Sequence, residues 1–413
     1  MTPTMTSPSR LWLRIVPAFA LGYFLSYGLR SVNAVIAPEI MRDLQVTASD
    51  LGLLTSAYFL GFGLFQIPLG LLLDHYGPRR VEAVLLVVAS VGCVIFAAGE
   101  SLATLTFGRT LIGLGVSACL MASFKAFSQW FPMERIPALT ATIMVAGGLG
   151  ALSASLPVAM LLPWLGWRGV LLLVAVLLLL SSAFLLTVPD RTEPSGAAGL
   201  RQQLQSLVAI YGNRVFWRYA PQACLAVGGF MALQGLWSVP WLMTVNGLSR
   251  DEAAQLLFVV ALAMLGGFFF VATCSGWLAR HGILPRHLLT SGMGLALVAG
   301  WAIVMNLGSP QWMWPLLGLA FSLSNLAYPL LTAAFPVALS GRVNTALNLM
   351  AFVGAFTLQW GFGASVDLLQ GWGLNPARAF QFTLAALVSA QLLAYVWFLR
   401  PLPSQAAADM AKS

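Results

Sequence analysis

Apolar residues fill this chain in long blocks. Runs of about 20 or more, each enough to cross a ~30 Å hydrocarbon core at about 1.5 Å per residue, recur from end to end. Twelve blocks stand out, over about 12–39, 49–74, 80–99, 102–130, 138–163, 168–188, 217–245, 251–278, 288–308, 312–339, 343–369 and 377–399. Each reads as a helix, because a segment in lipid must satisfy its own main-chain hydrogen bonds. The polar residues collect between the blocks and carry a sign bias. An even number of spans puts both termini on one side. With that side inside, fourteen Lys and Arg, including Arg79, Arg80, Arg135, Arg286 and Arg342, fall in inner segments, against Arg42, Arg168, Arg250 and Arg378 in outer ones. Basic residues favour cytoplasmic loops, so the termini are expected in the cytoplasm of a multi-pass protein of the bacterial inner membrane.

Composition agrees: 59% of the 413 residues are hydrophobic and 8% charged, far from the roughly 25% charge of a soluble domain. The inner-loop arginines account for most of the +8 net charge, so a high pI implies no nucleic-acid partner. Cys93, Cys119, Cys224 and Cys274 all fall within spans without paired spacing, which indicates neither disulfide nor zinc. His75, His281 and His287 fall in loops. Residues 10–20 resemble a signal peptide, but the apolar run continues past Ala20 and cleavage would leave eleven helices.

The chain divides into an N-terminal six-helix bundle (1–188), a cytoplasmic linker (189–216), a C-terminal six-helix bundle (217–400) and a cytoplasmic tail (401–413). The linker is rich in Pro, Gly, Ser and charge, and an internal repeat supports the cut. Phe131-Pro132 and Phe335-Pro336 each precede an arginine, Arg135 or Arg342, that opens the next helix, and they lie 204 residues apart. Two halves with a site between them at mid-membrane is an architecture of secondary transporters.

Three basic residues, Arg30, Arg109 and Lys125, fall inside the spans. A charge at the bilayer centre costs at least ~2.5 kcal/mol, so it is kept for a cavity or a partner. No Asp or Glu is placed at mid-membrane by the span boundaries, which makes the interior net positive and points to an anionic solute. Arg30 lies about 27 Å along the first span; Arg109 lies about 31 Å from the inner end of the fourth and Lys125 about 8 Å. Arg30 and Arg109 therefore share a level. On a straight helix Arg109 and Lys125 would point about 160° apart, so only one could face the cavity squarely. Tyr23, Tyr27 and Arg30 share a helix face by i, i+4, i+7 spacing. Gln234, Trp237 and Trp241 form a stripe in the seventh span, with Asn325, Tyr328 and Gln359-Trp360 at mid-depth in the tenth and eleventh. Such groups suit hydrogen bonding to a small polar solute or packing between helices.

Gly70-x-x-x-Asp74-x-x-Gly77-x-Arg79-Arg80 resembles the loop signature between the second and third helices of the major facilitator superfamily, with His75 where that family has a basic residue. Arg109-x-x-x-Gly113-x-Gly115 is similar to a second family signature. The resemblance implies an all-α membrane protein of twelve transmembrane helices in two pseudo-symmetric six-helix bundles, with the Gly70, Asp74, Gly77, Arg79 and Arg80 loop as a conformational latch. Tyr27-x-x-Arg30 with Pro38 looks like the first helix of the anion:cation symporter and organophosphate:phosphate antiporter branches, whose arginine binds the anionic group. The antiporter branch has a second arginine on the seventh helix, where "FMALQGLWS" has none. One arginine fits a carboxylate better than a phosphate ester.

The expectation is a monomeric, non-enzymatic transporter without cofactor or metal. It moves a small organic anion, a carboxylate, by alternating access with protons as coupling ion. Expected solute contacts are Arg30, Tyr27, Tyr23, Arg109, Gln234, Trp237, Asn325, Tyr328 and Gln359, with Lys125 unassigned. The alternative is drug or metabolite efflux by the same fold, against which "AGGLGALSASLP" lacks the Gly-Pro arrangement of drug:proton antiporters. Gly113-x-Gly115-x-x-Ala118 formally fits a dinucleotide fingerprint, but no strand precedes it and small residues in a span serve close packing. No HExxH or GxSxG motif is present.

Overall fold

The computed structural model describes residues 8–131, 136–189, 205, 208–336 and 339–400, apart from a few side chains, that of Asp74 among them. Among these residues there are helices and no strands. The N-terminal half comprises α1 (Pro8–Leu44), α2 (Ala48–Tyr76), α3 (Pro78–Ala98) and α4, which is built of Leu102–Val116 and Cys119–Trp130. Its last two passages come from Ile136–Ser153 and Leu156–Leu186. Within the latter, Gly166 (φ 63°, ψ 171°) turns the chain in a conformation that L side chains rarely adopt. The stretch before Gly166 continues Ile136–Ser153 as α5, and the stretch after it is α6. The second half comprises α7 (Arg214–Thr244), α8 (Arg250–Arg280), α9 (Pro285–Val304), α10 (Pro310–Ser324 with Ala327–Thr332), α11 (Ser340–Gly371) and α12 (Pro376–Leu399). Among the described residues eleven helices are long and apolar enough to cross a membrane, and the turn at Gly166 divides one of them to give twelve passages. The linker predicted over 189–216 and the tail over 401–413 lie largely or wholly outside the described residues.

Glycines set the helix spacing where main chains nearly touch. A Cβ on Gly113 would overlap the Tyr58 carbonyl, one on Gly61 the Thr110 carbonyl, and one on Gly115 the main chain of α3 at Ala89. The Gly113-x-Gly115 motif therefore packs α4 against α2 and α3. Gly150 packs likewise against the Phe24 carbonyl of α1, and Gly354 of α11 against the Cys224 carbonyl of α7. Without a hydrophobic drive between helices in lipid, such close van der Waals contact holds a bundle together.

Two helices depart from the regular spiral at mid-depth. α4 breaks at Ser117–Ala118, so the straight-helix angle between Arg109 and Lys125 does not apply. α7 carries two π-helical turns, Ala223–Val227 and Leu233–Trp237, which widen its spiral beside the crossings with α11 and α1. Such turns shift the face that later side chains present.

The halves meet along α2 with α11 and α1 with α7. Two polar links join them at the predicted outer end. Arg250 Nη1 of α8 pairs with Glu39 Oε1 of α1 at 2.7 Å, and the Ser49 main-chain N–H of α2 donates to Asp367 Oδ2 of α11 at 2.6 Å. Gly52 and Gly363 bring the same helices together, since a Cβ on either would press into main chain of the opposite half. This conformation is shut at that end.

Candidate functional site

Arg30 sits where the halves meet and is only 7% exposed. Its guanidinium carbon lies 4.6 Å from the ring centre of Tyr27, 5.6 Å from Phe62 of α2 and 5.7 Å from Phe352 of α11. Phe62 and Phe352 approach each other across the halves with ring centres 4.4 Å apart. The guanidinium thus lies among aromatic rings, which attract it through their quadrupoles. Its Nε has no hydrogen-bond partner; the Tyr58 hydroxyl is close to the guanidinium, and among the described residues no acid pairs with it. Tyr23 stands edge-on to Tyr27 at 5.6 Å, so the three residues line one face of α1. From the other half, Tyr328 faces Arg30 and Tyr27, and its hydroxyl donates to Asn348 Oδ1 at 3.1 Å.

Arg109 is 1% exposed and lies behind this face, over the ring of Tyr58 at 4.9 Å. Tyr58 of α2 donates to the Ser26 carbonyl of α1 at 3.2 Å, one turn before Arg30, so its ring stands between the two arginines. Arg109 Nε and Nη1 have no partner. Lys125 is half-buried on the lower segment of α4, beyond the break.

The α7 and α11 residues divide. Both amide atoms of Gln359 are buried without a partner, and they lie 3.9 and 4.0 Å from where a Cβ on Gly235 would sit. That point is 3.4 Å from the carbonyl oxygen of Arg30. Gln234 turns to the sulfur of Met264 at 3.9 Å. Trp237 donates its indole N–H to the Gln359 carbonyl at 2.9 Å and stacks on Phe362; with Trp241, Trp314 and Phe380 it forms an aromatic cluster inside the second half. Asn325 returns its amide to the Phe321 carbonyl of its own helix, and Trp360 is 43% exposed on the outside of the bundle. The structure gathers Arg30, Tyr27, Tyr23 and Tyr328; Gln359 lies by the main chain of Arg30, Trp237 is held in packing, and Arg109 packs on Tyr58.

At the α2–α3 connection, Gly77 takes φ 81° and ends one helix while starting the next, with its N–H donating to the Leu73 carbonyl at 3.2 Å. Arg79 reaches the Val188 carbonyl at 2.6 Å, tying the loop to the end of α6. Gly70 lies within α2 and Arg80 is exposed. The side chain of Asp74, expected to hold the neighbouring arginines, lies outside the described residues.

Sequence reasoning missed Tyr58, Phe62 and Phe352, which nothing in their spans distinguishes from other aromatic residues, and Asn348. It also missed an acid. No Asp or Glu is expected at mid-membrane, and Glu82 is not there by depth, near the start of α3; but it is 0% exposed, a buried acid that the depth reading passes over. The basic pair Arg79-Arg80 makes this stretch read as a loop, whereas α3 starts at Pro78 and turns Glu82 inward.

Two six-helix halves around a buried cationic site at mid-depth define a membrane transporter. The model of the Major Facilitator Superfamily matches residues 19–358, and the chain belongs to that family. It is 30% identical to monocarboxylate transporter 11 of Homo sapiens over 79% of this chain and 69% of that protein. It is 26% identical to the 4-hydroxybenzoate transporter PcaK of Pseudomonas aeruginosa over 92% and 91%. The D-xylose-proton symporter crystal structure superimposes with a TM-score of 0.77 at 17% identity, covering 95% of this chain and 98% of that one. The protein is thus a multi-pass transporter and not an enzyme.

Proposed function

We propose that this transporter carries a small monoanionic carboxylate across the bacterial inner membrane by alternating access, in symport with a proton, and that Arg30 is the ligand of the carboxylate. The observation that carries this reading is the state of Arg30: a permanent cation, 7% exposed, among aromatic rings and with no acid beside it among the described residues. An ion in such a place is costly unless a counter-ion arrives, and its planar fork matches a carboxylate in two parallel hydrogen bonds. A monoanion neutralises it; a phosphate ester would call for a second cation, and Arg109 is on the far side of Tyr58.

The aromatic surround favours a carboxylate borne on a ring or a short apolar body. Tyr27, Phe62 and Phe352 give it flat apolar surface, while Tyr328, Asn348 and Gln359 offer neutral polar groups from the second half. The printed names of the relatives, a monocarboxylate transporter and a 4-hydroxybenzoate transporter, support the same class. Because the two halves contribute to one site, a bound anion is placed to stabilise their closure around it, which alternating access requires.

The test is uptake of radiolabelled 4-hydroxybenzoate and lactate, with glucose 6-phosphate as the phosphate control, into proteoliposomes of the purified full chain. Saturable uptake of a carboxylate but not of the phosphate ester, strongly weakened in Arg30→Ala and less so in Arg30→Lys, is the expected result. Arg30→Ala transporting as well as the parent protein would remove Arg30 from the site.

A further inference from the structure

The carboxyl of Glu82 has no role in the anion site, yet it is enclosed. Glu82 is 0% exposed, and neither carboxyl oxygen has a hydrogen-bond partner. The space it fills is provided by α1: a Cβ on Gly22 would overlap Oε1 and would lie 3.8 Å from Cys119 Sγ of α4. Glu82, Gly22 and Cys119 thus converge where α1, α3 and α4 cross, and Cys119 opens the lower segment of α4 immediately after its break.

Among the described residues, nothing donates a hydrogen bond to either carboxyl oxygen. From α1 come Gly22 and, one turn on, Ser26, whose hydroxyl donates to the Val116 carbonyl at 3.4 Å. From α4 comes the thiol of Cys119, which lies beside the carboxyl and is a weak donor. From α6, Ser182 donates to the Ala83 carbonyl at 2.8 Å. On α3 itself, Arg79 is turned to the Val188 carbonyl and Arg80 is exposed. An ionised carboxylate here would be buried without a cation or a strong donor, so the group is held as the neutral acid in this conformation.

We propose that Glu82 is the site that carries the coupling proton, loaded and unloaded as the α1–α3–α4 junction opens and closes. This rests on the symport reading above. α1 joins the two sites, since Gly22 precedes Tyr23 in the chain and Arg30 lies eight residues on, about 12 Å along the helix. The physics then gives the sign of the coupling. A carboxylate at Glu82 and an anion at Arg30 are like charges in one low-dielectric half, so each binds better when the other site is not negative. By reciprocity, the proton raises anion affinity and the anion raises proton affinity by the same factor. One proton on Glu82 and one monoanion on Arg30 cross together, and no net charge moves.

The experiment uses Glu82→Gln, which keeps the shape of the neutral acid but cannot release a proton, with [14C]4-hydroxybenzoate as the probe. An inward proton gradient is expected to drive uphill accumulation in the parent protein and none in Glu82→Gln, while one-for-one exchange of internal for external probe persists in both. Accumulation by Glu82→Gln that follows the gradient as in the parent overturns the proposal, as does loss of exchange along with accumulation, which would mark Glu82 as structural. A second readout needs no substrate: infrared difference spectra of the full chain in liposomes, taken between neutral and alkaline pH. A protonated-carboxyl band present in the parent at neutral pH and absent in Glu82→Gln supports the assignment, and its absence from the parent overturns it. If no tested anion is exchanged by the parent, the substrate reading fails while the infrared arm still decides on Glu82.

Discussion

Opening the predicted outer end requires breaking the links between halves, and their strength can be worked from the structure. Glu39 and Arg250 are 20% and 25% exposed at the side chain and 2.7 Å apart, between the surface and buried regimes. An exposed pair gives under about 1 kcal/mol and a buried one broken on one side costs about 3–5, so ~1–2 kcal/mol suits this one. The Ser49 N–H to Asp367 bond is charge-assisted and contributes a similar amount. The links sit on different helix pairs, so their effects should add. Glu39→Gln with Asp367→Ala therefore weakens the closed outer end by ~2–4 kcal/mol, a shift of about 30- to 1000-fold in the ratio of outward-closed to outward-open molecules. The assay is pulsed electron resonance between spin labels at Arg42→Cys and Gly371→Cys. The Arg42 side chain is 80% exposed and nothing lies within 4 Å of a Cβ on Gly371. The four native cysteines are replaced by alanine. The double variant should populate a longer distance that is minor in its parent, each single variant lying between. An unchanged distance distribution in the double variant would refute the idea that these links hold the outer end shut.

The other expected outcomes concern the site and its packing. Arg30→Ala should raise the KM for the transported carboxylate by at least about 10- to 100-fold, the loss of a charge-assisted hydrogen-bond pair, with thermal stability retained; uptake kinetics and a melting curve check both. Tyr58→Phe removes only the hydroxyl bonded to the Ser26 carbonyl, so a loss of about 0.5–1.5 kcal/mol in stability is expected by thermal unfolding in detergent. Phe352→Ala deletes the ring that meets Phe62 across the halves and approaches Arg30; a several-fold weaker uptake affinity, with export of the folded protein to the membrane unimpaired, is the predicted readout. Gly354→Ala forces a Cβ into the Cys224 carbonyl of α7, which should lower the melting temperature by an amount matching ~1–3 kcal/mol of overpacking.

How much of the fold and site was legible in the chain depended on what one-dimensional distance can encode. Span length and composition give helices across a membrane, and the repeat at Phe131-Pro132 and Phe335-Pro336 gives two halves. The depth estimate puts Arg30 and Arg109 close together, and in the structure Tyr58 approaches both. Residue identity along a helix also reveals a stripe, and the Tyr23, Tyr27, Arg30 face is such a case. In α7 the same logic stops short, because the π-helical turn at Leu233–Trp237 rotates the later residues of the helix, and Trp237 packs into an aromatic cluster instead. Tyr58, Phe62 and Phe352 were invisible for another reason: with aromatic residues throughout the spans, only the crossing of α1, α2 and α11 shows which rings surround the guanidinium.

Glu82 exposes the limit of reading charge by depth alone. Near the start of α3, it stands close to a membrane surface by rise along the helix, and an acid beside Arg79-Arg80 invites a surface reading. Burial, though, depends on azimuth as well as depth. α3 turns this residue toward the crossing of α1 and α4, where Gly22 leaves the carboxyl room and, among the described residues, no group donates to it. The same helix, α1, then presents Arg30 to the space between halves on one face and Gly22 to Glu82 on another. A helix with a cation on one face and an unpaired acid against another registers the charge of both sites. On the proposal above, any tilt of α1 that closes the halves around an anion also alters the packing on Glu82, so movement of one helix would suffice to link the two occupancies.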